Sequence, residues 1–250
     1  MNAEPLLAVQ GLCKNFGAVA AVREMSLAVA AGEIHALIGP NGAGKTTALA
    51  QLSGEMKPDA GRVVFQGRDI TGLELGAHVR MGIARSFQIT CVLDDFSAED
   101  NVAMAVQARA SHNFRFWRPA RRDAALRDPA RAMLARVGLM DRAAVPARAL
   151  SHGERRQLEV AMALAVKPKL LLLDEPMAGM GPDESRRMVA LLASLKGEYT
   201  ILMVEHDMDA VFALADRVTV LVYGQVIATG APAAIRADAH VRRAYLGEDE

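Results

Sequence analysis

The sequence predicts an α/β fold, a mainly parallel sheet covered by helices, with a strand-rich first third and an all-helical stretch set into the middle. Three observations carry this reading. Apolar strand-like runs alternate with helical patterns in the last third. Short apolar runs punctuated by Gly17, Gly32, Gly61 and Gly67 fill the first third. Hydrophobic residues make up 52% of the 250 positions against 23% charged, which is ample for a sizeable core and far from disorder. At about 150 residues per domain, the length suits one large domain or one carrying an inserted subdomain.

From the N-terminus, strands are expected at 6–9, 26–29 and 63–65. A buried-type strand at 34–38 runs into a Gly-rich turn and then a helix over 47–52. Ser97 with Asp100 three residues on opens an Ala-rich helix to about Ala110. A second helix covers about 120–137, with Leu126, Leu134 and Val137 on its apolar face and Gly138 as its stop. Ser151 and Glu154 form an S-x-x-E capping box for a helix reaching about Val166. A strand at 170–173, a Pro-led helix at 182–196, a strand at 200–204 and a helix near 208–215 follow. Runs at 218–222 and 226–228 flank Tyr223-Gly224-Gln225 as a hairpin.

Composition excludes several classes of function. Lys+Arg and Asp+Glu are equal at 29 each, so no excess of positive charge argues for nucleic acid as a partner. Cys13 and Cys91 lie far apart without ligand spacing, which fits a reduced compartment rather than a disulfide framework. The longest apolar run, 160–166, falls far short of the ~18 residues a spanning helix needs. Glu4 stands where a signal peptide would carry basic charge, and no apolar block follows it. The six histidines show no metal spacing, and the methionines are scattered as core filling. The stretch Asn113-Phe114-Arg115-Phe116-Trp117-Arg118 reads as a solvated face over a small apolar cluster, with contact to a membrane partner or to the lipid headgroup edge as the sharper alternative.

Gly39-Pro40-Asn41-Gly42-Ala43-Gly44-Lys45-Thr46 matches G-x-x-x-x-G-K-[ST] in full, with a strand before it and a helix beginning near Thr47 after it. Glycines let backbone N–H groups turn inward on a β-phosphate, and the helix dipole favours the anion. Lys45 is placed for the β- and γ-phosphates and the Thr46 hydroxyl for Mg²⁺. For this composition the motif is expected by chance only about 0.002 times per chain, so a nucleoside triphosphate site is the better reading. The run Leu170-Leu171-Leu172-Leu173-Asp174-Glu175-Pro176 ends an apolar strand in two carboxylates. Asp174 can hold Mg²⁺ at the sheet's carboxyl edge, and Glu175 can polarise an attacking water.

Leu150-Ser151-His152-Gly153-Glu154 resembles the LSGGQ signature of ABC ATPases, Phe87-Gln88 resembles their Q-loop, and Glu205-His206-Asp207 their switch-histidine loop. Phe16 stands where that family places an adenine-stacking aromatic. The resemblance implies a P-loop NTPase (RecA-like) α/β core with an N-terminal antiparallel β part and an inserted α-helical subdomain. Within a single domain over 1–250, 1–91 and 157–250 would form the core and about 92–156 the helical insertion. It further implies that two chains sandwich two ATP molecules. Gln88 would contact Mg²⁺ or the lytic water and sense the membrane partner. Glu175 would be the general base, His206 would steady the γ-phosphate, and Ser151 with Gly153 would close the opposite site. His152 stands at a glycine of LSGGQ, Glu154 at its glutamine, and Gly181 where the family has an aspartate.

Within that family, Ala84-Arg85-Ser86-Phe87-Gln88-Ile89-Thr90, Met177-Ala178-Gly179-Met180, Val204-Glu205-His206-Asp207-Met208 and the ending Arg243-Ala244-Tyr245-Leu246-Gly247-Glu248 look like branched-chain amino acid importer ATPases. The ending is also similar to the ATPase of lipopolysaccharide export. The importer resemblance implies transmembrane permease subunits, a second ATPase chain (a like or an unlike copy) and, indirectly, a periplasmic solute-binding protein as partners. It places the chain in the cytoplasm, peripheral on the inner face of the membrane, with an exporter ATPase or a soluble non-transport ABC ATPase as alternatives.

Overall fold

A computed structural model describes residues 4–86, 92–109 and 123–246. Strands β1 (Leu7–Phe16), β2 (Val19–Val29), β4 (Ala60–Phe65) and β5 (Arg68–Asp69) form an antiparallel sheet in the order β2-β1-β4-β5. The second sheet holds β3 (Ile34–Ile38), β6 (Ile83–Arg85), β7 (Leu170–Asp174), β8 (Thr200–Val204), β9 (Arg217–Val222) and β10 (Gln225–Gly230), in the order β10-β9-β3-β8-β7-β6. All its neighbours run parallel except the β9–β10 hairpin. The helices are α1 (Lys45–Ser53), α2 (Leu75–Met81), α3 (Ala98–Arg109), α4 (Ala124–Arg136), α5 (His152–Ala165), α6 (Pro182–Leu195), α7 (Met208–Leu214), α8 (Pro232–Ala237) and α9 (Ala239–Leu246).

The apolar run of β7 is buried on both faces, as a central parallel strand requires. Leu171 and Leu173 join one core cluster with Leu158 and Leu164 of α5 and Leu192 of α6. Leu170 and Leu172 join the other, with Leu49 and Leu52 of α1 and Phe65 of the antiparallel sheet. The parallel sheet is thus the middle layer between α1 with the β part on one side and α3 to α7 on the other, while Met81 of α2 packs on the α1 side. α3, α4 and α5 pack on one another, and the expected boundary at 156/157 falls inside α5.

Several elements differ from their expected extents. β1 and β2 run far beyond 6–9 and 26–29 because one face of the pair is open to solvent and bulges interrupt its register, so polar residues break the apolar pattern. α1 begins at Lys45 rather than Thr47, since Gly44 already acts as its N-cap. β5, α2, β6, α8 and α9 are additional. Each is short, and α2 and α8 lack a side-chain cap that would announce them. α1 is ended by Gly54, whose left-handed backbone turns the chain out of the helix and whose N–H donates to the Gln51 carbonyl.

A buried polar chain crosses β3 and β9. Nδ1 of His35 lies 2.8 Å from Glu33 Oε1 and its Nε2 2.8 Å from the Thr219 hydroxyl, so both ring nitrogens have a polar partner. Thr219 lies 2.9 Å from the Thr229 hydroxyl. Burial pushes the Glu33 carboxyl up, but the hydrogen bonds from His35 and the Ala30 N–H outweigh it and hold the group below its ordinary range. Thr219→Val strands a ring nitrogen in a site with no access to water. We expect a loss of about 1–3 kcal/mol, read as a lower urea midpoint at unchanged slope.

Candidate functional site

The loop after β3 is laid flush against two strands by glycine. A Cβ on Gly39 would stand 2.0 Å from the Leu221 carbonyl oxygen of β9, and one on Gly44 2.1 Å from that of Ala21 in β2. Gly44 also has φ +98°, a conformation side chains resist. The turn of the β9–β10 hairpin braces the loop from outside, with the Gly224 N–H donating to the Ala43 carbonyl at 2.9 Å. α1 then starts without a side-chain cap and without acid in its first turn. Its open N–H groups and dipole form an anion seat.

Lys45 at the start of α1 folds back over this loop, donating to the Gly39 carbonyl at 2.7 Å and the Pro40 carbonyl at 3.0 Å. Burial lowers its ammonium pKa, and the nearby Glu175 and Asp174 carboxylates pull it back. Asp174 ends β7 with its Oδ2 accepting from Arg85 Nη2 at 2.9 Å, while its Oδ1 is buried without a hydrogen-bond partner among the described residues. Burial pushes the Asp174 carboxyl up against the pull of Arg85. An unpaired, desolvated carboxylate oxygen beside a phosphate seat is the donor a hard divalent cation takes, and the exposed Thr46 hydroxyl is a second oxygen ligand of the same kind.

Glu175 follows in a left-handed conformation, φ +48°, with its N–H held by the Val204 carbonyl at 2.9 Å. That turn leaves its carboxylate partly exposed, on the wall of one cavity with Asn41, Gly42, Lys45, Thr46 and Thr47. His206 Nδ1 lies 3.8 Å from Glu175 Oε1. Glu205 fixes this pairing. Fully buried, it accepts from the Met177 N–H at 2.9 Å with one oxygen, and from the N–H groups of His206 at 2.9 Å and Asp207 at 3.3 Å with the other. Asp207 caps α7 through the Ala210 N–H at 3.1 Å. Neither Glu205 nor Arg85 stands out in the sequence as a site residue, because each acts through contacts made only after folding.

The structure therefore gathers the loop 39–47, Asp174, Glu175 and His206 in one place. Ser151 and Gly153 lie elsewhere, at the head of α5 in a separate cleft with Arg142, Glu154, Met180 and Glu184. The capping box expected there is present. Ser151 Oγ accepts from the Glu154 N–H at 3.2 Å, and Glu154 Oε2 accepts from the Ser151 N–H at 2.8 Å. His152 reaches the loop after Glu175, its Nε2 3.0 Å from the Ala178 carbonyl oxygen. Phe16 is half exposed at the end of β1, with the Lys14 ammonium 6.0 Å from its ring centre. Gln88 and the stretch 113–118 lie outside the described residues.

A family described as "ABC transporter" matches residues 22–178, more than half the chain. The chain belongs to the ABC transporter ATPase family. A second family, described as "Branched-chain amino acid ATP-binding cassette transporter", matches this cassette at 225–250. Among curated relatives, the high-affinity branched-chain amino acid transport ATP-binding protein LivG of Salmonella typhimurium is 38% identical over 98% of this chain and 99% of its own. BraF of Pseudomonas aeruginosa, named for the same transport, is 36% identical over 98% of both chains. The lipopolysaccharide export system ATP-binding protein LptB of Acidithiobacillus ferridurans is 34% identical over 97% of both. Among solved structures, the ADP conformation of the ATP-binding cassette MJ1267 superposes with a TM-score of 0.88 at 29% identity, covering 98% of this chain and all of that one. The α/β expectation is met, and the cassette is an ATPase whose hydrolysis is coupled to transport.

Proposed function

We propose that this cassette powers import of branched-chain or related amino acids, and that its ATP sites are completed between two cassettes. The match of residues 225–250 to the branched-chain group carries the choice of solute class and favours import over lipid export. In this reading the loop 39–47 holds the phosphates of ATP, Phe16 stacks on the adenine, and Ser151 with Gly153 of a second cassette closes over the γ-phosphate. Mg²⁺ would be held by Thr46, the open oxygen of Asp174 and Gln88, and when bound it offsets phosphate charge. Lys45 leaves the Gly39 and Pro40 carbonyls for the β- and γ-phosphates. Glu175 takes a proton from the attacking water as its oxygen bonds to the γ-phosphorus, and ADP leaves in line. His206, steadied by Glu205, orients the water and γ-phosphate.

Closure and reopening of the pair would drive permease subunits in the membrane. Among the described residues no helix is long and apolar enough to cross a bilayer, so the membrane link in this reading runs through those partners on its inner face. Purifying tagged cassette from gently solubilised membranes tests the assignment. Two hydrophobic permease chains with a second, similar ATPase are expected, together with ATP-dependent leucine uptake when the complex is placed in vesicles with its solute-binding protein. Recovery of lipid-export permeases would reverse the direction of transport, and recovery of ribosomes or DNA alone would remove the transporter role.

A further inference from the structure

The cleft at the head of α5 already contains an anion from its own chain. The capping box uses the N–H groups of Ser151 and Glu154, so those of His152 and Gly153 remain as the open donors of a 14-residue helix. Across them lies Glu184, the third residue of α6. Its Oε1 accepts from the Ser151 hydroxyl at 3.2 Å, and its Oε2 lies 3.4 Å from the donating Gly181 N–H. The carboxylate packs directly on Gly153, where a Cβ would stand 2.6 Å from both Cδ and Oε1 of Glu184. Nearby cations are committed elsewhere, Arg142 to the Glu154 carboxylate at 2.8 Å and Arg187 to the Asp183 carbonyl at 3.3 Å. One oxygen of this carboxylate, Oε1, thus covers both the hydroxyl and the glycine that a phosphate would need, while the other is turned to the Gly181 N–H.

We propose that Glu184 is a tethered stand-in for phosphate, an autoinhibitory contact that must swing away before the triphosphate held by a second cassette can dock on Ser151 and Gly153. The proposal rests on the two-cassette reading above. Displacing Glu184 gives up its bond to Ser151, and the freed carboxylate stays beside the incoming phosphate as a like charge. Together these raise the ATP or protein concentration needed for closure by about tenfold. Glu184 sits in the first turn of α6 and competes with the incoming nucleotide for the Ser151 hydroxyl.

The test is ATP-dependent association by sedimentation of full-length chain in a Glu175→Gln background, which blocks turnover, with and without Glu184→Gln. Glutamine keeps the size of the side chain and can still accept from Ser151 and Gly181, but it carries no charge. Closure is expected at about tenfold lower concentration in the double variant, with a gain that shrinks as salt is raised. Glu184→Ala, which removes the group, should shift in the same direction. Unchanged or weaker association in both variants would overturn the proposal and make Glu184 a support for the Ser151 cap. If the Glu175→Gln parent binds ATP yet never associates, either with itself or when mixed with the second ATPase recovered from the membrane complex, the two-cassette reading itself fails and the proposal falls with it.

Discussion

Glu175→Gln is expected to lower kcat for ATP hydrolysis by about 10²–10⁴-fold while ATP binding survives. The backbone at 175 is held in its left-handed turn by the Val204 carbonyl, and the cavity wall it forms with the loop 39–47 depends on that turn. Glutamine has the same shape, accepts and donates hydrogen bonds, and leaves the loop, Lys45 and Asp174 in place. It cannot take a proton from water. The loss should therefore fall on turnover rather than on affinity, the pattern of an interaction made only in the transition state. Single-turnover hydrolysis alongside equilibrium binding of a fluorescent ATP analogue separates the two. Turnover within a few-fold of the parent chain would take the general-base role away from Glu175.

The phosphate loop was legible in the sequence because everything that makes it work is local. The turn, its glycines, the strand before it and the helix after it lie within twenty consecutive residues, and short-range chemistry dictates each of them. The same holds for β3 and β8, whose burial on both faces writes an unbroken apolar run, and for the Ser151–Glu154 box. β1 and β2 were underestimated because a half-solvated, bulged pair keeps polar residues in register with apolar ones. The supporting shell of the site was hidden for a different reason. Arg85 meets Asp174 across 89 residues, Glu205 meets Met177 across 28, and Ser151 meets Glu184 across 33. None of these pairs has a spacing rule, so only the folded chain brings them together. Glu205 lies in the stretch that resembles the switch-histidine loop, but nothing in the sequence tells that it is fully buried and holds the Met177, His206 and Asp207 N–H groups.

Arg85 is the member of that shell with the largest structural consequence. Its guanidinium, almost wholly buried, spans Asp174 at 2.9 Å and Glu55 at 2.6 Å and ties the ends of β6 and β7 to the end of α1. Arg85→Ala leaves Asp174 buried without its hydrogen-bonded cation, with only the more distant Lys45 ammonium acting on it, and removing one partner from such a pair costs about 3–5 kcal/mol. The effect has a definite pH dependence. Burial already pushes the Asp174 carboxyl up, and Arg85 is the main group pulling it back, so the substitution moves it further up. A carboxyl raised in the native state binds its proton more readily folded than unfolded. Stability is then lost as pH rises from the ordinary aspartate range through the raised native value. The deficit of Arg85→Ala should accordingly be largest at neutral pH and narrow under mild acid, where Asp174 is protonated. Its acid limb for Mg²⁺-dependent ATP hydrolysis should also lie at higher pH than that of the parent, since only the ionised carboxylate can serve the cation. Denaturant midpoints at two pH values and a pH–rate profile check both. Coincident acid limbs with a pH-independent stability loss would show that Asp174 draws its charge balance from elsewhere.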